Sequence, residues 1–334
     1  MKDGVYTLEN LLTYEKTFAS KHRVSFTGLY SIQEDHSHNT SVSKDSIDED
    51  FVQFYNLGQA STSSNTRAVV NGSETSWALI SYMARLNYVY DDKYMITLTG
   101  RIDGSSRLAE GNKWHQYPAV SLGWNISNES FMKDIGFISS LKLRAGWGET
   151  SNQSINPYAS LGNVSPSNGL NTTASGSQGP GGSIRYNYGP TRIVTGYNIT
   201  SLPNPDLDWE YTRVTNIGLD FGVLKNRITG SLELYKAHTY KILYGLTLPA
   251  TSGITSQYTT NIGEMENKGV ELTLSTVNLR LKNGFTWTTD FNVFFNRNKL
   301  LKLNDGFDKN IGNQLFVGQP LTAIYDYQNW ASGK

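Results

Sequence analysis

The sequence predicts an all-β protein, an antiparallel meander that forms part of a transmembrane β-barrel with long outer loops. Apolar and polar residues alternate strictly over many runs, which indicates strands with two unlike faces. The longer predicted strands have about 9–13 residues, which exceeds the usual length in soluble sheets and suffices to cross a bilayer at a tilt. Short and long connections also alternate along the chain, as they do in outer-membrane barrels.

The stretch from 94 to 124 is the clearest copy of the repeating unit, since two alternating runs flank a polar loop rich in Gly and Ser. One face is apolar and carries Tyr94, Ile96, Leu98 and Ile102, then Val120, Leu122, Trp124 and Ile126. The opposite face is polar and carries Thr97, Thr99, Arg101 and Asp103, then Ser121 and Asn125. The first face suits hydrocarbon and the second suits water.

The same alternation predicts ten strands, at 6–18, 23–32, 78–90, 94–103, 117–126, 141–148, 216–221, 228–234, 270–275 and 285–295, with an eleventh expected near 321–327. Short turns are expected at 19–22, 91–93, 224–227 and 281–284, and a connection with a helical turn near Phe131 at 127–139. Long outer loops are expected at about 34–76, 104–116, 149–208, 246–262 and 297–320.

Composition narrows the class of protein further. The 334 residues include 29 basic and 29 acidic side chains, so an electrostatic nucleic-acid partner is not indicated. The chain has no cysteine, which excludes disulfides, zinc–thiolate sites and cysteine nucleophiles. Alternation begins within the first few residues without a signal peptide before it. We therefore expect this chain to be a fragment of a longer protein.

The two faces also predict the surroundings of the sheet. Polar and charged side chains on nearly every strand indicate a wide lumen that holds water or a plug. Aromatic residues at strand ends suit the interfacial girdles of a membrane barrel, namely Tyr14, Tyr90, Tyr94, Trp124, Trp147 and Trp287. The alternative architecture is a soluble sandwich or solenoid with one wet face.

Five motifs, in order and over almost the whole chain, resemble the SusC/RagA group of TonB-dependent outer-membrane transporters of Bacteroidetes. They are Asp103, Gly104, Ser105, Ser106 and Arg107 followed by Trp114; Leu-Lys-Leu-Arg-Ala-Gly-Trp-Gly at 141–148; Asn-Pro-Asp-Leu-Asp-Trp-Glu at 204–210, with Trp209; the run at 261–272 with Asn267 and Gly269; and Val-Gly-Gln-Pro-Leu at 317–321. Leu108 stands where the family would have an aromatic residue, and Ser151 where it would have Gly.

The resemblance implies a middle-to-late portion of a 22-stranded barrel in the bacterial outer membrane, without the plug and the last strands. It implies active import of an oligosaccharide or peptide, with a SusD-like surface lipoprotein as a lid, outer-membrane lipid around the barrel and TonB acting through a missing amino-terminal part. The fragment alone would not transport. The alternative function is a structural, adhesive or receptor barrel that acts through its long loops.

Local motifs add little chemistry. No catalytic set is predicted, so an enzyme is not expected, and neither is a cofactor. Glu34, His36 and His38, like the acidic residues near 45–50, fit a solvated loop better than a metal site. The run at 103–107 is interpreted as a strand exit at which Arg107 meets a carboxylate on the lumen side. Aromatic residues expected in outer loops are the candidate ligand contacts, because sugars stack on exposed rings: Trp114, Tyr158, Tyr186, Tyr188, Tyr197 and Tyr258.

Overall fold

The computed structural model describes residues 2–43, 69–166, 185–187, 193–195, 197–254, 256–303 and 307–326. Its first six strands are long: β1 (Lys2–Phe18), β2 (His22–Ser43), β3 (Val69–Tyr90), β4 (Tyr94–Ser105), β5 (Trp114–Asn125) and β6 (Ile138–Asn152). Four short strands follow, β7 (Asn163–Pro166), β8 (Arg185–Asn187), β9 (Ile193–Thr195) and β10 (Tyr197–Ser201). The remainder are β11 (Glu210–Val223), β12 (Ile228–Tyr240), β13 (Leu243–Leu246), β14 (Tyr258–Asn261), β15 (Glu264–Arg280), β16 (Thr286–Lys302), β17 (Lys309–Asn310) and β18 (Leu315–Phe316).

Ten strands form one antiparallel sheet in the order β1-β2-β3-β4-β5-β6-β11-β12-β15-β16. Every strand therefore pairs with the next long strand in the chain, which confirms the predicted ten-stranded meander. The remaining strands form two-stranded hairpins, β7–β10, β8–β9, β13–β14 and β17–β18, and all lie in the long connections. We call the end of the strands that carries these connections the loop end, and the other end of the strands, with the short turns, the turn end.

The register confirms the two predicted faces. Leu86, Leu98, Val120 and Trp147 lie in one cross-strand row of β3 to β6. The adjacent row holds Arg85, Thr99, Ala119 and Gly148. Apolar side chains on the face of the first row remain exposed to solvent, with 44% of Leu98 and 54% of Leu122 accessible. The sheet thus has an apolar face that needs a hydrocarbon environment and a polar face that does not.

Aromatic rings border the apolar face at both ends. At the turn end, Tyr94 stacks between Tyr90 and Trp124, with both ring centroids 6.5 Å away. At the loop end, Tyr82 lies 6.5 Å from the ring of Trp114. Tyr82 and Tyr90 are eight residues apart on β3, which is about 26 Å along a strand. At the usual strand tilt this is about 20 Å along the membrane normal, of the same order as the ~25 Å apolar band of membrane barrels.

Strand boundaries differ from the predicted loops at the loop end. Strands β2 and β3 stay paired in register from His22 opposite Tyr90 to Ser43 opposite Val69, so 34–43 and 69–76 are strand and not loop. The alternation that reveals a strand in sequence fades here because neither face meets hydrocarbon, whereas the backbone ladder continues. Strands also enter the other four predicted loops by one to six residues or form short hairpins inside them.

The prediction of an eleventh strand near 321–327 is wrong for residues 321–326, the part of it that the structure describes, because these residues form a turn and irregular chain. The amide of Leu321 donates to the side-chain oxygen of Asn298, and Ala323 donates to the carbonyl of Pro320 in a turn. Pro320 has no amide hydrogen for the backbone hydrogen bonds of a sheet.

The helical turn expected near Phe131 is present as two 3₁₀ turns, Ile126–Asn128 and Ser130–Met132. In the described part of the chain, no helix is long and apolar enough to cross a membrane.

Candidate functional site

The polar face is the first functional surface. A groove of about 500 Å³ runs across strands β3 to β11 on this face. Its polar lining comes from Arg85, Asn87, Thr97, Thr99, Ser121 and Asn216. Gly146 and Gly148 form part of its floor. Hydroxyls and amides form most of this wettable wall, as where Thr97 donates to Asn87 over 2.9 Å. Arg85 supplies the one charge among the lining residues and donates to the hydroxyl of Thr99 over 3.2 Å.

Three charged side chains of the same face form a network across strands β6, β11 and β12. Arg144 donates to both carboxylate oxygens of Asp220 over 2.8 and 2.9 Å, a bidentate pair. Its guanidinium also lies 3.6 Å from Glu233, which accepts a hydrogen bond from Asn216 over 2.9 Å. A side chain at position 218 would meet this guanidinium, because an added Cβ on Gly218 would lie 2.8 Å from it.

The signature at 103–107 lies where β4 ends and the loop to β5 begins. Asp103 is buried and accepts hydrogen bonds from Arg101 over 2.8 and 3.0 Å. Arg107 instead lies over the ring of Trp77, 3.9 Å from its centroid. Burial lowers the pKa of Arg107, and the nearby carboxylate of Asp35 opposes that effect. The predicted contact of Arg107 with a carboxylate on the lumen side is not an ion pair among the described residues. The carboxylate that acts on Arg107 is Asp35, whereas Asp103 pairs with Arg101.

Two signature glycines lie under aromatic rings on the neighbouring strand. Gly104 is the cross-strand partner of Trp114, and a Cβ on Gly104 would lie 2.8 Å from three ring carbons of Trp114. Gly269 is the partner of Tyr235, and its Cβ would lie 2.7 Å from the hydroxyl. Glycine at these positions makes room for a ring to lie flat on the next strand, an arrangement that pins register.

Trp209 belongs to a buried cluster at the loop end. It is 2% exposed and packs with Leu108, Ala109 and Leu207. Its indole nitrogen donates to the carbonyl of Lys113 over 3.3 Å. This contact ties the loop of the first signature, between β4 and β5, to the third signature at 204–210. The two motifs therefore meet in space although about a hundred residues separate them.

No pattern in the sequence predicts an adjoining group of titratable and aromatic side chains at the loop end. Backbone pairing of β5 with β6 ends at Ala119 and Gly148. Closer to the loop end, side-chain contacts connect the two strands. His115 lies 2.7 Å from one oxygen of Glu149, and Arg213 donates to the other over 2.7 Å. Tyr117, which is buried, accepts a hydrogen bond from Ser151 over 2.6 Å. Only the register brings these residues together.

The candidate ligand contacts are dispersed. Trp114 is the first residue of β5 and its ring stacks on Tyr82 at the apolar face, so its predicted place in a loop is wrong. Tyr158 does lie in a loop and its hydroxyl bonds Ser76 over 3.1 Å. Tyr197 and Tyr258 lie in the short strands β10 and β14, and Tyr197 is 65% exposed. Tyr186 is in β8, and Tyr188 is outside the described residues. Ligand contact by these residues stays a prediction.

Asn267 and the histidines of β2 complete the predicted set. The side-chain oxygen of Asn267 is buried and has no hydrogen-bond partner among the described residues. His36 lies 3.9 Å from Glu34, and His38 bonds Thr40 over 3.1 Å. These three residues lie in strand β2 and not in the expected loop. Within the described ranges, no group of three or more possible metal-binding His, Asp or Glu side chains occurs; positions 45–50 fall outside them.

Glu129 organises the turn end. The hydroxyl of Tyr94 donates to its Oε1 over 2.5 Å, and the indole of Trp124 donates to the same atom over 3.1 Å. The ammonium of Lys93 lies 3.3 Å from its Oε2. The hydrogen bonds from Tyr94 and Trp124 lower the pKa of Glu129, whereas its burial opposes that effect. The carboxylate thereby anchors the aromatic girdle to the connection between β5 and β6.

A two-faced sheet of long strands, with girdles at both ends of its apolar face and a polar wall behind, defines the wall of a transmembrane β-barrel. The chain belongs to the family TonB dependent receptor-like, beta-barrel, which matches residues 3–333. Proteins of this family lie in the bacterial outer membrane, so the apolar face meets lipid and the polar face lines the barrel interior.

Relatives and solved structures agree with this assignment. The chain is 35% identical over 323 residues to TonB-dependent receptor P39 of Formosa agariphila, covering 96% of this chain and 28% of that protein. It is 38% identical over 234 residues to TonB-dependent receptor SusC of Bacteroides thetaiotaomicron, covering 69% of this chain and 21% of that protein. It is similar to a chain of the RagAB peptide transporter, with a TM-score of 0.79 and 25% identity over 95% of this chain and 33% of that one.

The chain thus spans about a third or less of the length of the proteins it matches. This share corresponds to ten adjacent strands of a larger barrel wall.

Proposed function

We propose that this chain is part of the barrel of a TonB-dependent importer, which takes up an oligosaccharide or a peptide across the outer membrane. The observation that carries the proposal is the polar wall, on which Arg144 pairs with Asp220 and a groove lined mostly by hydroxyls and amides crosses five strands. A wall of this kind borders a wet or plugged interior and not a packed core. The similarity to the RagAB peptide transporter supports transport and a peptide as one candidate substrate, and the relative SusC is a TonB-dependent receptor.

The proposed partners follow from the same relatives. A SusD-like surface lipoprotein would cover the loop end, where the cluster around Trp209 holds two loops together. TonB would act from the turn end through a plug, and outer-membrane lipid would cover the apolar face. The protein would act as a transporter and not as an enzyme, and its substrate would pass along the polar face.

Uptake assays test the proposal. A strain that lacks the protein should take up labelled oligosaccharides or peptides of one class more slowly than its parent. Inactivation of TonB should abolish the same uptake. Unchanged uptake with lost surface adhesion or signalling would overturn import and favour the structural, adhesive or receptor alternative.

Two substitutions on neighbouring residues test the role of the polar wall. Ser121→Trp places a ring in the groove, whereas Leu122→Trp places one on the lipid-facing side, where Leu122 is 54% exposed. At equal amounts of protein in the outer membrane, we expect uptake to fall at least about tenfold for Ser121→Trp and to stay near wild type for Leu122→Trp, because only the first narrows the polar side. Equal uptake by both variants would contradict a transport path along this face.

A further inference from the structure

Three cations lie side by side on the lipid-facing side of the sheet. Lys236, Lys268 and Arg297 are direct cross-strand partners on β12, β15 and β16. The row two residues closer to the turn end on the same face is Leu234, Val270 and Phe295. The cation row therefore begins where the apolar band stops.

Like charges directly opposite each other destabilise a sheet unless an anion lies between them. Glu266 supplies one carboxylate, 2.8 Å from Lys236 and 3.5 Å from Lys268. Arg297, and Lys299 in the next row, form no ion pair with a described residue. With Glu266 counted, the two rows carry a surplus of three positive charges, and His238 beside them contacts Glu264 over 3.0 Å.

The height of the row fits the headgroup region of the outer leaflet. Lys236 lies nine residues beyond Arg227, the last residue of the turn between β11 and β12. Nine residues extend about 30 Å along a strand and about 23 Å along the membrane normal at the usual tilt. That height is close to the full apolar band of ~25 Å. The cations thus lie at the outer membrane–water boundary, on the side away from the barrel interior.

The space beside the row can hold a headgroup. A cavity of about 640 Å³ lies beside the row, bordered by Lys268, Arg297 and Lys299, by Glu266, Asn296 and Asn298, and by the segment at 318–320 with Thr322. Neighbouring strands are about 4.8 Å apart, so the three cations of the row span about 10 Å. Two or three of them can contact one phosphate, which Arg recognises with two parallel hydrogen bonds.

We propose that Lys268, Arg297 and Lys299, with Lys236 beside them, bind the phosphate of an anionic lipid in the outer leaflet. A lipid is the occupant that the position favours, because its acyl chains would lie on the rows of Leu234, Val270 and Phe295 while its phosphate reaches the cations. A transported substrate would approach the opposite face. The inference depends on membrane placement and is independent of what the barrel imports.

Lipid binding can be measured on the protein purified in mild detergent from its own outer membrane. The triple variant Lys268→Gln, Arg297→Gln and Lys299→Gln removes the surplus charge. The matched control is Lys225→Gln, Arg280→Gln and Lys282→Gln, which removes the same charge at the turn end. The probes are a phosphorylated glycolipid of the outer leaflet, the same glycolipid after phosphatase treatment, and inorganic phosphate at equal concentration.

We expect the phosphorylated glycolipid to bind and to raise the unfolding temperature of the wild type and the control. In the triple variant its apparent Kd should rise about 100-fold, since three interfacial charges are lost. Equal binding by the triple variant or of the dephosphorylated lipid would overturn the proposal, as would a full effect of inorganic phosphate alone. If the triple variant is not assembled, Arg297→Gln should weaken binding and Arg297→Lys should largely retain it.

Discussion

Three aromatic rings in the sheet lie over a glycine directly opposite them on the next strand: Trp114 over Gly104, Phe221 over Gly230 and Tyr235 over Gly269. A slip of one residue in register would set each ring against a side chain and turn every residue to the other face. At the residue scale two of these pairs give a physical reason for the glycines of the signature motifs at positions 104 and 269. They specify register and perform no chemistry.

Gly104→Ala should destabilise the protein by about 1–3 kcal/mol, because its methyl group would lie within the contact distance of the Trp114 ring. The measurement is the urea midpoint of the protein purified from its native outer membrane. Gly100→Ala is the control, since an added Cβ there has no neighbour within 4 Å. Equal midpoints for the two variants would contradict the steric role of the ring.

Glu129 should give the turn end a pH dependence. Its pKa is lowered in the folded protein from the ordinary 4.5, so the folded form binds fewer protons and the contribution to stability is complete above that value. It is lost as the pH falls below 4.5 through the depressed pKa. Unfolding midpoints between about pH 7 and pH 3 should therefore fall less with acid in Glu129→Gln than in the wild type.

The control for this titration is Asp134→Asn, which removes a carboxylate of the same connection that forms no ion pair within the described residues. Its acid profile should parallel that of the wild type. A Glu129→Gln profile that is also parallel to the wild type would exclude Glu129 as the titrating group. The sequence could not identify this carboxylate, because Tyr94, 35 residues away, reaches it only through the sheet register.

At the scale of single elements, the sequence predicted strands wherever one face meets lipid and failed where neither does. Residues 94–103 alternate strictly and form strand as predicted. Residues 34–43 have polar side chains on both faces and pair with β3 all the same. The loop-end packing of Leu108 against Leu207 had no sequence signal either, because its partners come from distant loops. Periodicity reports the environment of a strand, whereas a backbone ladder needs only a neighbouring strand.

Trp209 should hold the loop end together as one unit. Trp209→Ala removes a ring that is 2% exposed, and we expect a loss of about 3–5 kcal/mol in the free energy of unfolding. The segments at 106–113 and 202–208 should then become sensitive to protease added outside intact cells. Trp287→Ala, at a residue that is 57% exposed, is the control and should leave these segments protected. Protection in both variants would show that the cluster does not order the loops.

At the scale of the whole molecule, each of the two faces and each of the two ends of the sheet carries a different set of structural features. The apolar face carries girdles and the cation row, and the polar face carries the groove and paired charges. The turn end is closed by short turns and Glu129, whereas the loop end carries packed loops and hairpins. The strand order was predictable because each strand meets the next in sequence, but the shape of the loop end was not.

The ten-stranded sheet has two open edges, β1 and β16, and this should decide how the chain behaves when it is produced alone. About half of the backbone groups on each edge strand point away from the sheet, and each one left unpaired in lipid costs several kcal/mol. We therefore expect the 334-residue chain, refolded with lipid vesicles, to aggregate or to pair edge to edge. Electrophoresis with and without heating tests this, because closed barrels migrate differently before heating. A heat-modifiable, protease-resistant monomer would contradict the expectation and would mean that β1 and β16 can pair with each other.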